Sequence, residues 1–497
     1  MTIEKLQSVP ARPARRVHVE TARLPAPYVD ALAGYRALAT RFGEDEVYLL
    51  ESAAGPAGDR RHQFVGFGEL LAVSVTREVV RIDGVPALRE IVLGALEPML
   101  DTTHGDHRLR ASRDLWHVLR AVRAVFDSEG DASRFRFGFL GYFGYDAARY
   151  VEDLPYLIDT PSDMPDVQLV LHQGCVVTDL AAGTAELLVH HSADWPRLDP
   201  ATVRALLADA VPATGPDAGP LPPSSVSDDI DEDSYRAVVD RCMRHIRVGD
   251  VYQVQIGHEL TVTSEIEPVR VYQRLRERNP SPYMYLTSIN GSTVVGASPE
   301  LFVRVEDGTV VMRPIAGTIA RDGADDEAAA RRLREDPKEI AEHTMLVDLC
   351  RNDIGRICER DTLDVPDYLD VERYSHLLHL VSTVEGQVAE GADSFDVIAA
   401  LFPAGTMTGA PKIRAMEIIE EQESSRRGLY AGTLGLIDVG GYLNLALCIR
   451  TLMHRDGRYT TRASAGIVAD SEPGREWAET LTKSGAAYWA VTGRELR

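Results

Sequence analysis

Hydrophobic side chains along the chain are arranged mainly in the patterns that β-strands show. In the N-terminal part, aromatic and β-branched runs bounded by turn residues cover residues 135–155 and 167–180. Similar runs follow at residues 251–260, 292–314 and 459–468. Such runs are typical of strands in a sheet. The pattern therefore predicts large β-sheets, and the N-terminal part is expected to be sheet-rich.

Three segments of the C-terminal part instead repeat apolar residues at helical spacing. They cover residues 336–349, 411–423 and 471–488. The first begins at Asp336, a predicted N-cap, and Pro337 follows at the first helical position, where proline is favoured. The sequence therefore predicts three helices in this part, and they carry most of the residues that could take part in chemistry.

A change of composition divides the chain. Residues 211–229 are rich in proline, glycine and small polar residues, which predicts a linker or a long surface loop. The rest of the chain then consists of an N-terminal extension at residues 1–25, a sheet-rich region at 26–210 and a C-terminal region at 230–497.

Composition and charge narrow the classes of function. The chain has 497 residues, 44% of them hydrophobic, which is enough for a large buried core. Its formal net charge of -23 repels nucleic acid and anionic membrane surfaces, so we expect neither as a partner. No stretch approaches the roughly 18 apolar residues of a membrane span. The five cysteines form neither a CxxC pair nor an even set, so we expect a reducing, cytoplasmic location.

Two of the predicted helices place carboxylates on one face. Glu476, Glu479 and Lys483 follow one another at helical spacing, and Glu339 and Glu342 repeat the carboxylate pair on another helix. If the two faces meet, the carboxylates can bind Mg²⁺, which prefers one or two carboxylates together with water and an anionic substrate oxygen. The alternative is that each pair lies on a solvated helix surface.

Other features point to an anionic ligand. Residues 405–412 form a glycine-rich turn before the second predicted helix, and its spacing differs from that of a nucleotide-binding P-loop. The helix amides and Lys412 could instead hold a carboxylate. Arg450 interrupts an apolar run, where a charge must be paired or face a pocket. His379 lies in a similar run, and a histidine packed in the core is the alternative there.

The order of short motifs in residues 230–497 resembles the chorismate-binding enzymes, and in particular anthranilate synthase component I. The motifs are PIAGT at residues 314–318, KEIAEHTMLVDLCRNDIGR at 338–356, HLVSTVEG at 379–386, FPAGTMTGAPK at 402–412, IRT at 449–451 and ETLTK at 479–483. The resemblance implies an α+β fold in which large β-sheets are packed with helices on the outside. It also implies a regulatory N-terminal region and a catalytic C-terminal core.

The resemblance further implies a metal site and a substrate site. Glu342 and Glu479 would bind Mg²⁺, and Glu339 and Glu476 would lie beside them as carboxylates that act through water. The residues implied in binding chorismate are Thr406, Arg450, Gly466, Ile467, Lys483, Gly317 and Thr318.

Catalytic roles follow from the same resemblance. Glu300 would protonate the C4 hydroxyl as it leaves, and His379 would assist the later elimination of pyruvate. Relatives that add water to chorismate carry a lysine where Gln253 stands, and a neutral amide cannot act as the base for water. Aminodeoxychorismate synthases usually carry a nucleophilic lysine where Ala316 stands. The implied reaction is therefore the addition of ammonia at C2 and the loss of pyruvate to give anthranilate, the first step of tryptophan biosynthesis.

Three alternatives remain at this point. An aminodeoxyisochorismate synthase performs the same amination and stops before pyruvate is lost, and an aminodeoxychorismate synthase serves a related pathway. The third alternative is a catalytically idle chorismate-binding relative. Ser464 stands where the family commonly has a glycine, beside the backbone that binds a carboxylate, so it could change how the enolpyruvyl tail sits.

Regulation and partners are also implied by the resemblance. Ammonia is expected from a separate glutamine amidotransferase subunit, component II, since the chain contains no glutaminase motif. Two segments resemble the tryptophan feedback site and imply that tryptophan is an inhibitor. Their residues are Leu50, Glu51, Ser52, Pro282, Tyr283 and Met284.

Overall fold

A computed structural model of the protein describes residues 15–56, 58–103, 105–112, 114–160, 162–212, 219–320, 326–373 and 377–496, apart from the side chains of residues 318, 320 and 377. Residues 1–14 of the predicted extension and residues 213–218 of the predicted loop lie outside this set. No helix in the described part of the chain is both long and apolar enough to cross a membrane.

Strands occur throughout the described chain. They are β1 (Val17–His18), β2 (Glu20–Ala26), β3 (Val47–Glu51), β4 (His62–Thr76), β5 (Val79–Gly84), β6 (Leu100–Asp101), β7 (Arg108–Leu109), β8 (Phe126–Asp127), β9 (Gly138–Phe143), β10 (Val167–Asp179), β11 (Thr184–His191), β12 (Ser224–Asp228), β13 (Gln253–Ser264), β14 (Tyr283–Ile289), β15 (Ser292–Ser298), β16 (Leu301–Glu306), β17 (Thr309–Met312), β18 (Ile315–Ala320), β19 (Asp364–Arg373), β20 (Leu377–Gln387), β21 (Gly409–Ala410), β22 (Thr433–Asp438), β23 (Leu443–Leu447), β24 (Thr451–Arg455) and β25 (Arg458–Ile467).

Helices pack against these strands. They are α1 (Ala31–Phe42), α2 (Pro86–Leu96), α3 (Asp114–Val125), α4 (Pro200–Ala208), α5 (Glu232–Arg247), α6 (Pro268–Arg278), α7 (Asp326–Glu335), α8 (Pro337–Gly355), α9 (Ser394–Leu401), α10 (Lys412–Gln422) and α11 (Pro473–Thr492). Short 3₁₀ helices lie at Glu44–Glu46, Glu97–Met99, Tyr145–Tyr150 and Gly405–Met407.

The larger strands form one antiparallel hydrogen-bonded network with two branches that meet at β10. The first branch runs from β10 through β4, β3, β14, β15, β24 and β25 to β13. The second runs from β10 through β9, β22, β23, β16 and β17 to β20, which also pairs with β18 and β19. Strands from both sides of the predicted loop are therefore neighbours in the same sheets.

The predicted elements agree with the structure in most places. Helices α8, α10 and α11 lie where the three helices were expected, and the Asp336 side chain caps α8 by accepting from the backbone N–H of Lys338 at 2.9 Å. The α+β fold class is confirmed.

Hydrogen bonds, some within one turn and some between strands, explain the places where the prediction and the structure differ. The run at residues 135–155 has the pattern of strands with turns between them, and in the structure residues 145–150 within it form a 3₁₀ helix. Arg149 Nε there donates to Asp146 Oδ1 at 3.1 Å, an interaction three residues apart that suits a helical turn. Residues 224–228 of the predicted loop form β12, an edge strand paired with β13, and β2, which begins within the predicted extension, pairs with β11.

Candidate active site

Two crossings between the branches place the first two site residues. Glu300 lies where the chain passes from β15 to β16, and Arg450 lies where it passes from β23 back to β24. The backbone N–H of Ala297 donates to the Arg450 carbonyl at 3.2 Å, and that of Leu447 donates to the Glu300 carbonyl at 3.1 Å. The two crossings are therefore held side by side by backbone hydrogen bonds.

Glu300 is a buried carboxyl group whose side chain accepts one weak hydrogen bond. Thr406 Oγ1 donates to Glu300 Oε1 at 3.3 Å. Burial raises the pKa of Glu300 to about 8, although Thr406 and the Lys483 ammonium favour the ionised form. The carboxyl is therefore mainly protonated at neutral pH and can donate a proton to a group beside it.

His379 lies on β20 and is also buried. Its Nδ1 is 3.3 Å from the carbonyl oxygen of Gly317, which can only accept, so Nδ1 carries the proton. Burial, with a further contribution from Arg450, lowers the pKa of His379 to about 4. The imidazole is therefore neutral at pH 7. Thr318 pairs with His379 in the β18–β20 register, and its side chain lies outside the described residues.

Arg450 is a partly buried cation, and the described part of the chain gives its guanidinium no hydrogen-bonded or ion-paired partner. Burial lowers its pKa, while Tyr430 and Glu479 act in the opposite direction. Its backbone φ of 51° is left-handed, which is costly for a residue other than glycine and is often found at functional sites. The arrangement is suited to binding an anion, and Tyr430 is a neighbour that the sequence patterns did not reveal.

The glutamates of α8 and α11 lie within electrostatic range of one another. Burial raises the pKa of Glu342, and the charges of Glu339 and Glu479 raise it further. Burial and the charge of Glu479 likewise raise the pKa values of Glu339 and Glu476. The carboxylates of the two helices therefore lie close enough to influence one another's ionisation, which the metal prediction requires.

This group is a set of neighbouring carboxylates and not a closed cage. Among the described residues, three metal-binding atoms lie within 4.8 Å of one another only at Asp228, Asp229 and His258. Such an open group would still suit Mg²⁺, because that ion keeps several waters and takes few protein carboxylates. Their mutual repulsion is also what a divalent cation would relieve. A Cβ at Gly317 would lie 3.0 Å from Glu339 Oε2, so the group reaches the β18 backbone.

The remaining residues that are predicted to bind the substrate lie on strand β25 or contact it. Gly466 and Ile467 pair with Gln255 and Val254 of β13. Lys483 of α11 pairs with Glu479 at 2.6 Å, and its Nζ also donates to the carbonyl of Ser464 at 2.9 Å.

Strand β13 also holds the glycine-rich turn against this group. The backbone N–H of Tyr252 donates to the Ala410 carbonyl at 2.7 Å, and that of Gln255 donates to the Thr408 carbonyl at 2.8 Å. Gln253 is buried between the turn and β25. The structure therefore brings together the predicted catalytic and substrate residues whose side chains it describes.

Lys412 is the exception, and its prediction as a carboxylate-binding residue was wrong. Its Nζ donates to Asp353 Oδ2 at 2.7 Å and to the Leu401 carbonyl at 3.0 Å. Asp353 is buried on α8 and needs a cationic partner. Lys412 therefore joins α8 to the start of α10 and is held by a buried carboxylate, whereas Lys483 pairs with Glu479, whose side chain is 47% exposed.

The six residues of the predicted feedback site line one cavity, which also includes Asp59 and Arg304. Glu51 is committed to structural partners there, since it accepts from Tyr272 Oη at 2.6 Å and pairs with Arg276 at 2.7 Å. Tyr283 Oη donates to Asp59 Oδ1 at 3.0 Å. The two segments are therefore adjacent, as the resemblance implied.

Comparisons with known proteins show the family to which the chain belongs. The family model described as chorismate binding enzyme matches residues 85–488. The chain is 65% identical to 2-amino-4-deoxychorismate synthase of Streptomyces globisporus, over 97% of this chain and 98% of that protein. It is 39% identical to anthranilate synthase component 1 of Streptomyces coelicolor, over 94% of this chain and 88% of that protein. The crystal structure of anthranilate synthase component I from Streptococcus pneumoniae superposes with a TM-score of 0.69 at 30% identity, covering 86% of this chain and 92% of that one. The chain therefore belongs to the family of chorismate-binding enzymes.

Proposed function

We propose that the protein converts chorismate and ammonia into 2-amino-4-deoxychorismate and water, and that it releases this product with the enolpyruvyl group intact. The observation that carries the proposal is the 65% identity to the Streptomyces globisporus enzyme along nearly the whole of both chains. The anthranilate synthase of Streptomyces coelicolor is 39% identical. This product has its nitrogen at C2 and no oxygen at C4. It is therefore the product expected of an aminodeoxyisochorismate synthase, the first alternative given by the sequence.

The charge states of the site support this chemistry. Ammonia attacks C2, the double bonds shift, and the C4–O bond breaks. The protonated carboxyl of Glu300 supplies the proton with which the departing oxygen leaves as water. Gln253 is a neutral amide and cannot activate water as a competing nucleophile, whereas ammonia attacks with its own lone pair.

Binding of the dianionic substrate requires local positive charge in an acidic protein. We propose that Glu342 and Glu479 would hold Mg²⁺, which when bound would supply part of this charge by neutralising the ring carboxylate and drawing electrons from the ring. Arg450 and Lys483 supply the rest, together with the backbone at Gly466. Glu339 and Glu476 would lie beside the metal-binding pair and would help to hold the water of a bound ion.

Ammonia is proposed to come from a separate glutamine amidotransferase subunit. Tryptophan is proposed as an inhibitor at the cavity lined by Leu50 and Met284, because the two segments that resemble a feedback site meet there.

Anthranilate synthesis is the second candidate. Its support is the set of anthranilate synthase relatives, together with the neutral imidazole of His379, which can accept a proton in the elimination of pyruvate.

Product identification separates the two candidates. Chorismate, ammonium and Mg²⁺ are incubated with the purified chain, and the products are analysed by mass spectrometry and fluorescence. A non-fluorescent amino acid that retains the enolpyruvyl group supports the proposal. Stoichiometric anthranilate and pyruvate would instead establish the second candidate, and isochorismate would contradict both. The matched control is Glu300→Gln, which should yield none of these products at a comparable rate.

A further inference from the structure

A chain of hydrogen bonds links three side chains beside the predicted carboxylate site. Ser464 Oγ donates to Gln255 Oε1 at 3.0 Å and lies 2.5 Å from Tyr430 Oη. Because the single hydroxyl hydrogen of Ser464 is directed to Gln255, Tyr430 must donate to Ser464. The relay therefore runs from Tyr430 through Ser464 to Gln255.

The hydrogen bond from Ser464 to Gln255 Oε1 orients the amide, so its other end faces the predicted carboxylate site. With Oε1 held by Ser464, the Nε2 donor group points toward Gly466, where a Cβ would lie 2.9 Å from it. The Nε2 of Gln253 would lie 2.6 Å from the same Cβ. Two amide donors therefore converge over a glycine whose backbone belongs to the proposed carboxylate site, and only a residue without a side chain leaves them this room.

The same relay is tied to the cations of the site. Lys483 donates to the carbonyl of Ser464, and Tyr430 lies in electrostatic range of Arg450. Ser464 is 2% exposed, so its hydroxyl is a fixed part of the protein interior and not a surface group. A carboxylate bound by Arg450 and Lys483 would therefore also lie within reach of the Gln255 amide.

We infer that Gln255, oriented by Ser464, is a specificity-determining residue that binds the enolpyruvyl carboxylate and keeps the tail attached to the product. This inference rests on the proposed function and adds to it a reason for the retention of pyruvate. In the elimination to anthranilate, a proton leaves C2, its bonding electrons form the C2–C3 double bond, and the C3–O bond breaks with its electron pair leaving on the enolpyruvyl oxygen.

The elimination requires the C3–O bond to turn out of the mean plane of the ring, so that it is coplanar with the C2–H bond that breaks and overlaps the developing π system. A carboxylate held at the far end of the tail by an additional charge-assisted hydrogen bond opposes that rotation. Amination at C2 does not move the tail, so the same contact leaves the first step unaffected. Gln255 therefore affects the fraction of the aminated product that is released before pyruvate is eliminated.

The test uses two substitutions that break the relay at different points. Gln255→Leu removes the donor, and Ser464→Ala leaves the amide in place but no longer orients it. Thr461→Val is the control, because it removes a buried hydroxyl three residues away on the same strand, on the opposite face of the pleat. Each variant is assayed with chorismate, ammonium and Mg²⁺ for amination rate, anthranilate fraction and KM for chorismate.

We expect both relay variants to aminate within about tenfold of the wild-type rate, with the KM for chorismate raised and the anthranilate fraction raised at least tenfold. Thr461→Val should behave as the wild type. An unchanged product ratio in both relay variants would overturn the inference. If Gln255→Leu fails to fold, Gln255→Glu keeps the acceptor for Ser464 and places an oxygen where the donor was. It should raise the KM for chorismate at least tenfold, and an unchanged KM would equally overturn the inference.

Failure of the proposed function gives a different result. In that case the wild type itself releases anthranilate in stoichiometric amounts. The role of Gln255 in retaining the enolpyruvyl group is then refuted together with the proposed function. The KM of Gln255→Glu still reports whether the amide contacts the substrate carboxylate.

Discussion

Replacement of Glu300 by glutamine should make the protein more stable and much less active. The substitution keeps the size and the neutral charge that the buried carboxyl has at pH 7, so Thr406 retains an acceptor. It removes the acidic proton that leaves with the C4 oxygen. General acid catalysis typically contributes 10²–10⁴-fold to a rate, and we expect a loss of that order in kcat with a smaller change in KM.

The stability change follows from the raised pKa. Burial raises the pKa of Glu300 from 4.5 to about 8. Below pH 4.5 the carboxyl is protonated in both the folded and the unfolded protein, so its ionisation does not lower the free energy of unfolding. As the pH rises from 4.5 to about 8, the unfolded state ionises first and the free energy of unfolding falls progressively. At pH 7, about 2.5 pH units above the ordinary value, the loss is about 3 kcal/mol. Glu300→Gln recovers it, so the variant should unfold at a higher temperature than the wild type at pH 8 and at nearly the same temperature at pH 4.5.

The pH dependence of the wild-type rate provides the second measurement. Only the protonated carboxyl is active, so kcat/KM should be level up to about pH 7 and fall tenfold per pH unit above about pH 8. Ammonium must be varied with pH so that free ammonia stays constant. A rate that stays level to pH 9.5, or a Glu300→Gln variant that retains more than a tenth of the wild-type kcat, would refute the reasoning.

Four other outcomes are expected. Lys412→Met leaves the buried Asp353 without its cation, so the free energy of unfolding should fall by about 3–5 kcal/mol. The KM for chorismate should stay unchanged. A raised KM with unchanged stability would show that Lys412 binds the substrate after all. Glu342→Gln should raise the Mg²⁺ concentration that gives half-maximal activity at least tenfold without lowering the unfolding temperature, and an unchanged Mg²⁺ titration would contradict the metal proposal. His379→Ala should reduce any trace of anthranilate more than it reduces amination, which parallel product measurements will show. Tryptophan should inhibit competitively with chorismate and less strongly in Tyr283→Ala; flat activity across millimolar tryptophan would remove the feedback proposal.

The sequence predicted the parts of this protein that depend on neighbours in the chain. The N-cap of α8 follows from Asp336 and the proline after it, and the carboxylate pair at Glu339 and Glu342 follows from helical spacing. The pairing of Lys412 with Asp353 joins residues 59 positions apart, and no local pattern indicates it. Gln255 was read only as a strand residue, because its importance depends on the register that places it opposite Gly466.

The net charge of the protein explains why the residues with unusual ionisation states lie near the point where the two branches of strands cross. A protein of net charge -23 must bind a dianion, so the site limits its own negative charge by keeping Glu300 protonated and His379 neutral. Among the residues that the structure describes, the guanidinium of Arg450 also has no ion-paired partner, and its backbone is left-handed. Each of these states costs folding free energy, and a substrate carboxylate or a metal ion would recover part of that cost on binding. Bound Mg²⁺ and a chorismate analogue together should therefore stabilise the protein more than either does alone, since each reduces a repulsion that the other experiences.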